Sequence, residues 1–139
     1  MPIFVHFQKS GDKILTDINH RFSISFEVIC MLAGMMGVDF IHAGMWGGYS
    51  SVEEQELRDV INTLHQYDVM PALSCGMHPG LVNAIVARFG NGFMANTGGA
   101  IHGHPMGTKS GVIAMKQAIN KELDGVEYNV AIQKWGHII

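Results

Sequence analysis

The sequence predicts an α/β fold in which four consecutive βα units share one parallel sheet. Three observations carry that prediction. Four short apolar runs, 3–7, 38–43, 69–74 and 92–96, show no alternation of apolar and polar residues, as expected of strands covered on both faces. Stretches whose apolar residues recur at helical spacing follow each of them. The loops are unequal: those after helices are short, whereas those after strands, 8–21, 43–50, 75–78 and 97–107, are longer and mostly glycine-rich. Ligands of parallel α/β folds sit at the C-terminal ends of the strands, so the glycine-rich loops mark the functional rim.

The elements follow in order. Ile3 to Phe7, after Pro2, is the first strand. From Phe22 to Met36 the residues Ile24, Val28, Ile29, Leu32, Met35 and Met36 define an apolar helix face, and Gly37 stands where a helix ends. Val38 to Ala43 is the second strand. Ser51-Val52-Glu53-Glu54 has the pattern of a capping box, opening a helix with Leu57, Val60, Ile61 and Leu64 inward. Val69 to Ser74 is the third strand. Pro79 suits the first position of a helix that runs through Ile85 to Gly90. Gly92 to Asn96 is the fourth strand. Thr108 is the expected cap of a helix burying Val112, Ile113, Met115, Ala118 and Ile119, and a last helix spans about 126–135. The whole chain, 1–139, reads as one unit.

Composition narrows the function. Hydrophobic residues make up 47% of the chain, enough to exclude a disordered one. Lys and Arg total nine, the net charge is −3, and no basic run occurs, so a nucleic-acid partner is not expected. No apolar stretch reaches the length of a membrane span and no charged segment opens a signal peptide. Cys30 and Cys75 read as reduced thiols of a cytoplasmic protein. Glycine is in excess, with 17 in 139 residues. An anionic ligand would therefore be held by backbone amides rather than by a basic field.

Gly98-Gly99 follows the fourth strand, and Gly76 the third. Such glycines let the backbone approach a ligand and can form an anion-binding nest; the plainer reading is a tight turn. Ser74 ends the third strand and offers its hydroxyl either to a ligand or to a cap. His6 and His42 end the first two strands and are candidate ligand contacts or proton carriers, against the alternative of satisfied core histidines. His78, His102 and His104 lie in the third and fourth loops. No His-x-x-x-His helix or cysteine pair supports a metal site made by this chain alone. Lys9 lies just past the first strand on the ligand rim, placed either to meet an anion or, the plainer reading, to stand solvated. Asp39 begins the second strand, the wrong end for catalysis, and reads as structural. Trp46 and Tyr49 are placed either to close over a ligand or to pack on a neighbour.

Three of these segments, in order, resemble the C-terminal barrel of the ribulose-bisphosphate carboxylase (RuBisCO) superfamily. Gly34-Met35-Met36-Gly37-Val38-Asp39-Phe40-Ile41-His42-Ala43-Gly44 is similar to the sixth barrel strand, G-x-D-x-I-H-x-G. Pro71-Ala72-Leu73-Ser74-Cys75-Gly76-Met77-His78-Pro79-Gly80 is similar to the seventh, P-x-x-S-G-G-x-H-x. Asn96-Thr97-Gly98-Gly99-Ala100-Ile101-His102-Gly103-His104-Pro105-Met106-Gly107 is similar to the eighth-strand loop, G-G-G-x-x-G-H-P-x-G. Phe4-Val5-His6 resembles the end of the fifth strand. The resemblance implies the C-terminal half of a (β/α)8 TIM barrel. It also implies roles: Gly76, Gly98 and Gly99 hold a substrate phosphate, His42 and Ser74 hold the second phosphate or the far end of the substrate, and His6 lies near the reacting centre.

The departures from the pattern matter as much. Phe7 stands where the carboxylases carry a phosphate-binding arginine, and Ser10 replaces a histidine. Residues 43–51 contain no lysine, although the carboxylases carry one there to polarise carbon dioxide. The resemblance therefore points to a RuBisCO-like protein working by enolisation, isomerisation or decarboxylation on a phosphorylated sugar or keto compound. Nothing matches the family's magnesium-binding run, so no cofactor is expected in this chain, and magnesium is expected in a full-length parent. Four strands leave two open edges, which predicts either self-association or a missing N-terminal half as partner. A stand-alone phosphate-binding α/β module or subunit without catalysis, or an unrelated flavodoxin-like protein, is the alternative.

Overall fold

A computed structural model describes residues 3–9 and 14–138. It contains one four-stranded parallel sheet in the sequential order β1-β2-β3-β4, formed by His6–Phe7, Phe40–Gly44, Met70–Leu73 and Met94–Ala95. The register pairs His6 with Phe40, Phe40 with Met70, and Ala72 with Met94. The helices are α1 (Phe26–Met35), α2 (Glu54–Gln66), α3 (Val82–Phe89), α4 (Gly98–His102), α5 (Thr108–Asn120) and α6 (Val126–Trp135). A 3₁₀ turn, Pro79–Leu81, leads into α3.

All four strands are shorter than expected; β1, β3 and β4 fall inside the expected segments, and β2 runs one residue further, to Gly44. Ahead of β1, the Val5 amide donates to the Asp39 carboxylate at 2.7 Å, and the Asp39 amide donates to the Val5 carbonyl at 3.0 Å. Asp39 is thus a structural clasp between the first two strands, as its position at a strand start suggested.

Several helix boundaries differ from the reading of the sequence. The first helix starts at Phe26, not Phe22, because Ser25 is its cap and its hydroxyl accepts from the Val28 amide at 3.4 Å. The Ser51 capping box does not form. Glu53 occupies the cap position of α2, and the Ser51 hydroxyl instead accepts from the Gly47 amide at 3.0 Å, tightening the preceding loop. Thr108 is the first helical residue of α5 and Gly107 its cap; the Thr108 hydroxyl lies 3.3 Å from His102 Nδ1. The segment 97–107, read as a loop, begins with the short helix α4.

The core lies between the sheet and α2, α3, α5 and α6. Ile41, Leu57, Leu64, Leu73, Leu81 and Ile85 are fully buried in it. Each such side chain contributes roughly 1.5–3 kcal/mol relative to exposure. Helix α5 turns a small-residue face inward, with Gly111, Ala114, Met115 and Ala118 buried, while Val112 and Ile119 are exposed, contrary to expectation. The reason is close approach: a Cβ on Gly111 would sit 2.2 Å from the Ile101 carbonyl oxygen. Helix α1 also departs from expectation. It buries Cys30, Ala33 and Gly34, and its apolar residues Val28, Leu32, Met35 and Met36 face outward.

Both cysteines are free thiols. Burial, with the Glu27 carboxylate nearby, pushes the Cys30 thiol up to about 12, so it is inert. Among the described residues no helix is long and apolar enough to cross a membrane.

Candidate functional site

The C-terminal ends of the strands carry two adjoining groups of residues. The first joins β1, β2 and the residue after β3. The His6 and His42 rings stack with centroids 4.8 Å apart and planes 22° apart. His42 Nδ1 lies 3.0 Å from the Ser74 hydroxyl. The sheet register produces this meeting, because parallel neighbours bring equivalent strand ends side by side. Burial first, and the like charge of His6 second, hold His42 below the ordinary imidazole range. The shift favours the neutral ring, one nitrogen of which is engaged by Ser74.

The second group is a cleft of about 500 Å³ beside the first. Gly48 and Tyr49 line it from the loop after β2, Cys75, Gly76 and His78 from the loop after β3, Asn96 and Gly99 from the end of β4 and the start of α4. Trp135 at the end of α6 closes one side. The two glycine-bearing loops meet backbone to backbone. Gly76 has φ +115°, and a Cβ there would lie 2.7 Å from the Tyr49 amide nitrogen, so glycine is required on both counts.

Gly98 and Gly99 differ from Gly76. Both are exposed, and a Cβ on either would meet nothing within 4 Å. They open α4, so their amides have no acceptor within the helix. Gly76 and Gly99 thus share the cleft, with Gly98 next to it, while Ser74 and Cys75 join the cleft to the His6–His42 pair; the Ser74 hydroxyl is 3.6 Å from the Cys75 sulfur.

The remaining histidines separate by their bonds. His104 is buried; its Nε2 donates to the Glu127 carbonyl at 3.0 Å and its Nδ1 accepts from the Met106 amide at 3.1 Å. It fixes the turn before α5 and is unavailable to a ligand. His102 is exposed. His78 is 8% exposed, and its ring stacks on Trp135 at 6.1 Å. Its Nδ1 has no hydrogen-bond partner among the described residues, and burial holds its pKa below the ordinary range.

Trp46 does not reach the cleft. It packs edge-on against Phe89, with the Arg88 guanidinium 4.3 Å from its ring. Tyr49 is 86% exposed and is the aromatic of that loop which lines the cleft. Lys9 is half-buried and stands outside the cleft lining. Reading the sequence missed Trp135 and Asn96; the aromatic closing an otherwise amphipathic last helix was the signal for the former.

Among the described residues no group of three or more His, Cys, Asp and Glu side chains stands where it could hold a metal ion.

Comparison with known proteins agrees with the motifs. A family model, the ribulose bisphosphate carboxylase large chain catalytic domain, matches residues 62–135. The ribulose bisphosphate carboxylase of Pyrococcus furiosus is 33% identical over 135 residues, covering 86% of this chain and 32% of that protein. The 2,3-diketo-5-methylthiopentyl-1-phosphate enolase of Bacillus cytotoxicus is 31% identical over 150 residues, covering 99% and 36%. The octameric ribulose-1,5-bisphosphate carboxylase/oxygenase of Pyrococcus horikoshii OT3 superposes with a TM-score of 0.78 at 28% identity, over 96% of this chain and 32% of that one. The chain spans about a third of the length of the curated relatives it matches.

Proposed function

Because the chain belongs to the family of the ribulose bisphosphate carboxylase large chain catalytic domain, we propose that residues 1–139 are the phosphate-holding half of a RuBisCO-like (β/α)8 barrel, strands five to eight. The complete enzyme is read as an enolase, isomerase or decarboxylase of a phosphorylated sugar or keto compound rather than a carboxylase. One observation carries the reading: Gly76 and Gly99, from separate strand-end loops, line one cleft, with open space above Gly98 and Gly99. Amides without side chains let an anion come close and hold it without lysine or arginine.

In this reading the N–H groups of Gly76, Gly98 and Gly99 donate to the substrate phosphate. The neutral His42 ring, oriented by Ser74, meets the oxygens at the other end of the substrate, and His6 stacks against it close to the reacting centre. The absence of lysine from residues 43–51 and the presence of Phe7 argue against carboxylation. Relatives of both kinds match at similar identity, and the enolase is named for a 1-phosphate substrate. Magnesium, expected of a complete enzyme, belongs to residues outside this chain. The second reading is a phosphate-binding module or subunit without catalysis of its own.

The test is calorimetric titration with inorganic phosphate and with ribulose 1,5-bisphosphate, on the natural chain and on Gly99→Val. A hydrogen bond to a charged group contributes about 1.5–3 kcal/mol, so the expected loss of affinity is about 10-fold to 100-fold. The melting temperature should hold, because the added side chain enters open space. Unchanged affinity in Gly99→Val and Gly98→Val would remove the phosphate assignment.

A further inference from the structure

Trp135 touches both of the segments from which the cleft glycines come. Its ring stacks on His78, two residues after Gly76, with centroids 6.1 Å and planes 21° apart. It also meets His104, just after α4, at 6.4 Å and 52°. His104 is fixed by hydrogen bonds at both ring nitrogens, with the Glu127 carbonyl and the Met106 amide. His78 has no such bond at Nδ1 among the described residues, which leaves the stack on Trp135 to orient its ring. The residues beside Trp135 repeat the pattern. The Lys134 ammonium donates to the carbonyl of Gly103, the residue that ends α4. Gly136 packs on Gly80, where a Cβ would lie 2.0 Å from the Gly136 carbonyl oxygen, and the Ile138 amide donates to the Gly80 carbonyl at 3.2 Å. Residues 134–138 thus hold 78–80 and 103–104 together.

We propose that the C-terminal end of α6 clamps the anion cradle, with Trp135 as the positioning residue that sets the Gly76 loop and the Gly98–Gly99 turn at a fixed spacing. Helix α4 needs such a support. It has five residues, opens with two glycines and buries only Ala100. A helix so short does not hold its shape alone, and glycine adds to the entropy it must lose. Helix α5 backs it at Ile101, where Gly111 comes close, and α6 holds its last turn. An anion shared by amides of two segments is bound only while those segments keep their distance, because N–H···O bonds span only about 2.7–3.2 Å. Indole suits the task. Its fused rings meet both imidazoles, whereas leucine would fill the space and present a ring to neither. The inference rests on the proposed anion site, but hydrogen exchange reads the clamp without a ligand.

Amide hydrogen exchange by NMR, paired with calorimetric titration of inorganic phosphate, tests it on Trp135→Leu. The amides of Leu81, Ile101 and Gly103 are hydrogen-bonded within the clamped segments, and that of Val69, ahead of β3, is bonded at the opposite end of the sheet. Losing two ring contacts corresponds to about 10-fold in a local opening equilibrium, so the first three should exchange about 10-fold faster relative to Val69. Phosphate affinity should fall about 10-fold or more, the effect of one charged hydrogen bond lost. Trp135→Phe, which keeps one ring for His78, should recover part of both effects. Lys134→Met should speed Ile101 and Gly103 and leave Leu81 as it was, which keeps the clamp testable if Trp135→Leu does not fold; exchange unchanged in that variant would overturn the pinning of α4. Equal acceleration at all four amides would make Trp135 an ordinary packing residue and overturn the proposal. So would loosened segments with phosphate affinity unchanged. If the natural chain binds no phosphate, the anion site falls and the exchange pattern alone decides the clamp. If it binds phosphate through Gly99 and Trp135→Leu moves neither readout, the clamp falls and the anion site stands.

Discussion

The first quarter of the chain and the remainder are built on different terms. Among the described residues, eleven of the twelve largest fully buried side chains lie beyond residue 40, and only Cys30 lies before it. The exposed large apolar residues among those described show the opposite distribution, with twelve of 21 before residue 37. One part has a finished core; the other, among the described residues, leaves most of its large apolar side chains exposed and its packing unfinished. The strand-end cleft belongs to the finished part, whereas His6, on β1, reaches the rim from the unfinished part.

That contrast predicts the largest effect on stability. Leu64→Ala or Leu73→Ala should cost about 2–5 kcal/mol, because each leaves a cavity in a fully packed site. Met36→Ala, at a residue 83% exposed, should stay within about 0.5 kcal/mol. Urea unfolding at low concentration measures both. Comparable losses at the two sites would mean that the first segment is packed as tightly as the rest.

The glycines sharpen the comparison at the next level of effect. Gly76→Ala puts a side chain at positive φ and into the Tyr49 backbone, so a loss of about 1–3 kcal/mol is expected. Gly99→Ala adds a methyl group in open space on a helix and should raise stability by about 0.5–1 kcal/mol. Thermal melts of the two variants should therefore move in opposite directions. A destabilised Gly99→Ala would show that this glycine serves the fold rather than a ligand.

The sequence carried the order of elements, the parallel sheet and the meeting of strand ends, because apolar runs and helical spacing report burial directly. Two kinds of feature escaped it. Ser51 and Thr108 have capping chemistry, but each found a different partner once the chain folded, in Gly47 and His102. The inward face of α5 could not be chosen from hydrophobicity either, since close approach to Ile101 selects Gly111 over Val112. In the site, Gly76 and Gly99 converge from motifs that are local in sequence, while Trp135 arrives from α6 through tertiary packing that no local pattern encodes.

The smallest expected effect is a pH dependence that the finished part should show. His78 is buried against Trp135, and burial favours its neutral form in the folded chain. The unfolded chain, with an ordinary imidazole near 6.5, then binds more protons at mildly acidic pH than the folded one. Stability should be fully present above that value and fall as pH is lowered toward the depressed folded value. His42 adds in the same direction, though it is only half-buried and solvent screens part of the effect. His78→Gln removes the titration while keeping a polar side chain of similar reach. Melting temperatures at pH 7.5 and 5.5 should therefore drop less in the variant than in the natural chain. An equal drop in both would mean that the buried ring is not among the groups through which acid weakens the fold.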